Sequence, residues 1–144
     1  MSAVQPPLRP HPAAVPLAGP EDALSVVLSA ASQPARDETV CLLLDHAHRG
    51  LGCLVIVGRG PASELGEVLM ELAAQEPAVA GVVLASIRPG AGHGPGRPDV
   101  LAFHDLRERL DELAVDLVDW FVITGRKAAS LAELTDSQVR WRPR

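Results

Sequence analysis

Two runs of this chain, Thr39-Val40-Cys41-Leu42-Leu43-Leu44 and Leu51-Gly52-Cys53-Leu54-Val55-Ile56-Val57, are apolar at successive positions and leave no polar face. A strand of that kind needs cover on both sides, so the chain must build a sheet buried between two layers. The polar, turn-like stretch from Asp45 to Gly50 joins the two runs into a hairpin.

The rest of the chain supplies the cover. The spacing predicts a helix over 62–75, with Leu65, Val68, Leu69, Leu72 and Ala73 on its buried face and Glu64, Glu67 and Glu71 on its wet one. A shorter helix starts at Pro20-Glu21-Asp22, carries Leu24, Val27, Leu28 and Ala31 on one face, and is ended by Pro34. A strand over 79–86 follows, then a Gly/Pro loop from Arg88 to Pro98. The next helix, over 99–113, has Phe103, Leu106, Leu110 and Leu113 on one stripe. A strand over 117–123 leads through Gly125-Arg126-Lys127 into a short last strand near 128–130. Strands alternating with helices after a hairpin predict an α/β domain of three layers, α/β/α, around a mixed central sheet.

The expected division is a proline-rich, extended or disordered arm over 1–19 that adds nothing to the core, a domain over 20–134, and a short basic tail over 135–144. At 144 residues the chain is long enough for one domain that removes roughly two-thirds of its unfolded surface from water. Its core must be aliphatic, because Phe103, Phe121, Trp120 and Trp141 are its only aromatic residues. A net charge of −5 and a single lysine, Lys127, argue against a nucleic-acid binder, which needs clustered cations. No apolar stretch approaches the ~20 residues that cross a bilayer. Prolines at 6, 7, 10, 12, 16 and 20 interrupt the region where an export signal would lie. The expected location is therefore the cytoplasm. Cys41 and Cys53 read as buried thiols; a turn centred on Ala47 would instead set them opposite each other as a redox pair.

The segment Ala85-Ser86-Ile87-Arg88-Pro89-Gly90, with Asp99 opening the next helix, and the segment Leu113 to Gly125 followed by Ser130-Leu131-Ala132-Glu133 resemble the RadC-like branch of the JAB/MPN domain, the fold of JAMM metalloproteases. The resemblance covers about Glu38 to Glu133 and implies a cytidine-deaminase-like architecture. Active members carry His-x-His-Pro-Ser-Gly after the strand, an aspartate at the head of the next helix and an upstream glutamate. The histidines and aspartate hold zinc, and the metal lowers the pKa of a bound water. Matching without gaps puts Ser86 and Arg88 on the two histidines, Pro89 on the proline, Gly90 on the serine and Asp99 on the aspartate. The glutamate is expected near Gly52 to Val57, where no acid occurs.

Arginine offers no lone pair and keeps its charge, so Arg88 cannot ligate zinc. Asp99 has a structural use as a helix cap, or as a partner for Arg88. The reading that follows is a catalytically inactive JAB domain without a cofactor. It would bind a protein or peptide through the Arg88–Asp99 loop, with a homodimer left open. An alternative keeps zinc-dependent hydrolase or isopeptidase chemistry through displaced ligands, His93, Asp99 and His104. The local pair His46 and His48 reads as exposed turn residues on the wrong connection for that site. A third reading, a DNA-repair-associated binding protein, rests on the family name alone. The alternating glycines at 90, 92, 94 and 96 lack the Lys and Ser/Thr of a phosphate cradle, and Arg107-Glu108-Arg109 reads as the solvated face of its helix.

Overall fold

The computed structural model describes residues 17, 19–57, 62–90, 94–125 and 127–135. Helix α1 spans Pro20–Ala30, strand β1 Glu38–Leu44, β2 Gly50–Val57, helix α2 Ala62–Gln75, β3 Gly81–Ile87, helix α3 Arg97–Asp111, β4 Asp116–Thr124, β5 Lys127–Ser130 and the short helix α4 Leu131–Leu134. The five strands form one mixed sheet in the order β2-β1-β3-β4-β5. Among the described residues, only the β3–β4 pair is parallel. That pair needs a crossover, which the loop and α3 provide.

Two cores lie on the two faces of the sheet. On one, Cys41, Leu43, Val82, Leu84, Trp120 and Val122 meet Leu65 and Leu69 of α2 and Phe103, Leu106 and Leu110 of α3. On the other, Val40, Leu42, Cys53, Val55, Val83, Ala85 and Phe121 meet Ala23 and Val27 of α1. The α/β class and its mixed sheet are as the sequence predicts, and β3 is buried at every position, as a central strand between two layers must be. No helix among the described residues is long and apolar enough to cross a membrane.

Several local expectations are corrected. Leu17, placed in the arm by its sequence surroundings, is buried in the α1-side core, while 1–16, 18 and the basic residues Arg140, Arg142 and Arg144 lie outside the described residues. Leu28, Val68 and Leu113 are exposed; α1 turns Ala23 inward instead, and Leu113 falls beyond the end of α3. His48 is buried at the hairpin tip with φ 60°, whereas His46 is exposed as expected. Asp45 organises that turn, its Oδ1 accepting the N–H groups of Ala47 and Arg49, each at 2.9 Å.

The hairpin register removes the redox pair. Glu38 pairs with Val57 and the match continues to Leu43 with Gly52, but Leu44 then pairs with Gly50, so Leu51 is an extra residue. The bulge shifts the pairing by one relative to a symmetric turn, and a shift of one exchanges the faces. Cys41 therefore pairs with Leu54, and Cys53 with Leu42. The two thiols belong to opposite cores, both free and buried. Burial pushes the Cys41 thiol up to about 12 and the Cys53 thiol up to about 11, which leaves both as inert packing groups.

Candidate functional site

Ser86 ends the buried run of β3 on the sheet face covered by α2 and α3, and the indole Nε1–H of Trp120 donates to its hydroxyl at 2.9 Å. Trp120 comes from β4, where it pairs with Leu84. One residue past β3, the Arg88 N–H extends the ladder by donating to the carbonyl of Ile123 at 2.9 Å, which holds the root of the arginine against β4.

From there the guanidinium reaches the start of α3. Its Nη1 lies 3.1 Å from Asp99 Oδ2 and its Nη2 2.6 Å from Oδ1, a two-pronged pair. Asp99 is the third residue of the helix, and its Oδ2 also accepts the N–H of the capping residue Gly96 at 2.8 Å. Asp99 therefore caps from inside the first turn, because the helix begins at Arg97, two residues before the start that the sequence predicts. Gly96 offers no side chain to the helix, so the Asp99 carboxylate is the group that satisfies the terminal amide. The Arg88 hydrogen bonds hold the Asp99 carboxyl below the usual range; burial opposes this, and the Gly96 N–H and the arginine charge add to it.

A zinc ion does not fit this donor set. Both Asp99 oxygens are engaged by a permanent cation, the Ser86 oxygen is a neutral hydroxyl already accepting a hydrogen bond from Trp120, and Arg88 would repel a dication. Pro89 and Gly90 form an exposed turn beyond Arg88. Of the displaced ligands, His104 is exposed on α3 and its ring meets Phe103 at 5.6 Å. His93 lies outside the described residues, among which no group of three metal-binding side chains occurs.

Two buried acids escape the sequence reading. Glu38, 2% exposed, starts β1 and pairs with Ile87, next to the Ser86–Arg88 junction. Residues paired across a ladder share a face, so Glu38 lies with Ile87 on the α1 side, away from Ser86. Its carboxylate accepts the N–H and hydroxyl of Ser32 at 2.8 and 2.6 Å, and Arg36 Nε at 3.0 Å. Burial pushes this carboxyl up, but the bonds from Ser32 and then Arg36 outweigh it and leave it below the usual range.

Asp119 is the second. A bulge sets Val118 and Asp119 against Val83, which re-aims the aspartate within β4. Its Oδ1 accepts the N–H groups of Trp120 at 2.7 Å and Ala132 at 3.2 Å, and its Oδ2 the hydroxyl of Ser130 at 2.6 Å. Ser130 in turn caps α4 by accepting the Glu133 N–H at 3.1 Å. Burial raises the Asp119 carboxyl, against these bonds and the charge of Arg107. Arg107 itself is buried, its guanidinium 5.1 Å from the centre of the Phe103 ring, so the solvated-face expectation fails at that position.

The order hairpin, helix, strand, crossover helix, strand is thus in place around the Ser86–Asp99 junction, and a model of the RadC-like JAB domain matches residues 17–136. The chain belongs to the RadC-like JAB domain family. It is 29% identical over 99 residues to a UPF0758 protein of Cupriavidus necator, an alignment covering 67% of this chain and 43% of that relative. The aligned part of this chain therefore spans less than half of the relative's length. The family match begins at Leu17, the first of the described residues, which is buried in the core of this RadC-like JAB domain.

Proposed function

We propose that this RadC-like JAB domain is catalytically inactive and works as a protein-binding or scaffold module, with the mouth between β3 and α3 as its contact surface. The observation that carries the proposal is the two-pronged Arg88–Asp99 pair, which ties the one retained family ligand to an arginine standing where the resemblance implies a histidine. Ser86, the other histidine position, is committed to Trp120. The partner is a protein or peptide, since the acidic balance of the chain opposes nucleic acid.

Elemental analysis of protein purified without chelators tests this. The expected result is no stoichiometric zinc and no rise in melting temperature when zinc is added. One zinc per chain, lost together with a zinc-dependent hydrolytic activity on replacing His93, Asp99 or His104 by Ala, would overturn the proposal in favour of displaced ligands.

A further inference from the structure

The Asp99 carboxylate takes one N–H from each terminal nitrogen of Arg88. A guanidinium carries five N–H donors, so this end-on pair leaves the Nε–H and a second N–H of Nη2 side by side, a fork of the shape that receives a carboxylate. Among the described residues nothing accepts from that fork, and a quarter of the side chain is exposed. Hydroxyls flank the arginine on the same face of the sheet. Thr39 pairs with Ser86 across β1 and β3, and the bond from the Arg88 N–H to Ile123 carries the β3–β4 ladder on toward Thr124. Paired residues share a face, here the one that Cys41, Leu84 and Val122 present to α2 and α3. Ser86 accepts from Trp120, but its own proton has no acceptor among the described residues, and among them Thr39 and Thr124 make no side-chain hydrogen bond.

Two cations stand at the same end of the sheet. Arg97 is the first residue of α3, and Lys127, the one lysine of the chain, pairs with Thr124 and so shares its face. Both are exposed, and neither belongs to an ion pair among the described residues. The acids at the start of β1 and in the first turn of α3 are already engaged: Asp99 by Arg88 and Gly96, Glu38 by Ser32 and Arg36 on the other face, and Asp37 likewise within the chain. The mouth therefore offers open donors and positive charge. We propose that it takes an acidic peptide segment, whose side-chain carboxylates are received by the lateral edge of Arg88, the Thr124 hydroxyl, Arg97 and Lys127. The inference rests on the reading of the mouth as a contact surface and adds the chemistry of the partner. Because Asp99 occupies only the end of the guanidinium, the partner binds without breaking the Arg88–Asp99 pair.

NMR titration of the full chain tests this with a short peptide of alternating glutamate and glycine, blocked at both ends. The expected result is a saturable shift of the Arg88 Nε–H and of the Trp120 Nε1–H, which senses the mouth through Ser86, weakened by added salt. The same peptide with glutamine for glutamate gives no such shift. Arg97→Gln combined with Lys127→Gln lowers the affinity about fivefold, whereas Arg49→Gln, which removes a charge from the hairpin at the opposite end of the sheet, leaves it within about twofold. The inference is overturned if the glutamate peptide does not bind, if the Arg49 variant loses as much as the double variant, or if the shifts fall away from the mouth. Equal binding of the glutamine peptide also overturns it, yet leaves the mouth a contact surface, so that the broader proposal survives. Tighter binding of a neutral peptide with a free C-terminus would make a chain end the ligand in place of acidic side chains.

Discussion

At the scale of single residues, the Arg88–Asp99 pair is the part of the site most open to measurement. Both side chains are more than two-thirds buried and the contact is two-pronged, so its coupling should exceed that of a surface ion pair. A double-mutant cycle with Arg88→Ala and Asp99→Ala, read by urea unfolding, is expected to give about 1–2 kcal/mol. Asp99 and Glu38 are both held below the ordinary carboxylate range in the fold, so their contributions are complete above the unfolded values near 4 and are lost as pH falls through the folded ones. The urea midpoint should therefore drop on acidification below about pH 4, and Asp99→Asn should flatten part of that drop. Asp119 has the opposite sign, its raised carboxyl costing stability as pH rises through its folded pKa. Asp119→Ala strands two buried N–H groups and the Ser130 hydroxyl, and is expected to cost about 2–4 kcal/mol. Asp119→Asn keeps one carbonyl for the two N–H groups, and Ser130 can turn to accept from the amide, so the loss should be less than half as large. Ser86, Arg88 and Asp99 were legible in the sequence because they sit close along the chain, around one strand end. Asp119 was not: its role depends on a bulge and on Ser130 and Ala132 beyond the next turn, which no local pattern reveals.

At the scale of elements, hydrophobic runs disclose strands and helices but not their offsets. The β1–β2 hairpin is plain from its two apolar runs, yet the extra residue Leu51, which decides the face of each cysteine, leaves no mark in a run that is apolar on both sides. The helices show the same limit, since a stripe chosen by spacing alone took in Leu28 and Val68, both exposed. Gly66 in α2 is a second feature invisible to periodicity. It faces α3, and an added Cβ would lie 2.9 Å from Arg109 Nη1. That atom is the tip of a flexible side chain whose ion-pair partner, Asp105, is a distant 3.7 Å away on an exposed surface. The arginine can swing aside, and alanine is favoured over glycine inside a helix by about 1 kcal/mol. Gly66→Ala is therefore expected to raise stability by up to about 1 kcal/mol in thermal or urea unfolding; a loss of more than that amount would show that Arg109 is fixed between the helices.

At the scale of the whole molecule, two cores back to back on one sheet make every central strand part of both. β3 carries this furthest: Leu84 faces the α2 and α3 side, Val83 and Ala85 the α1 side, and its two neighbours, β1 and β4, come from distant parts of the chain. The site inherits its geometry from that position, for Ser86 and Arg88 leave the sheet where an antiparallel neighbour and a parallel neighbour flank the same strand. The order of synthesis adds a consequence. β1, β2 and β3 emerge first, but the far edge of β3 has no partner until β4 has been made, after the whole of α3. Until then the strand that ends up buried at every position is an open edge, and only the β1–β2 hairpin closes through local contacts, so the late, long-range arrival of β4 is the step expected to limit folding.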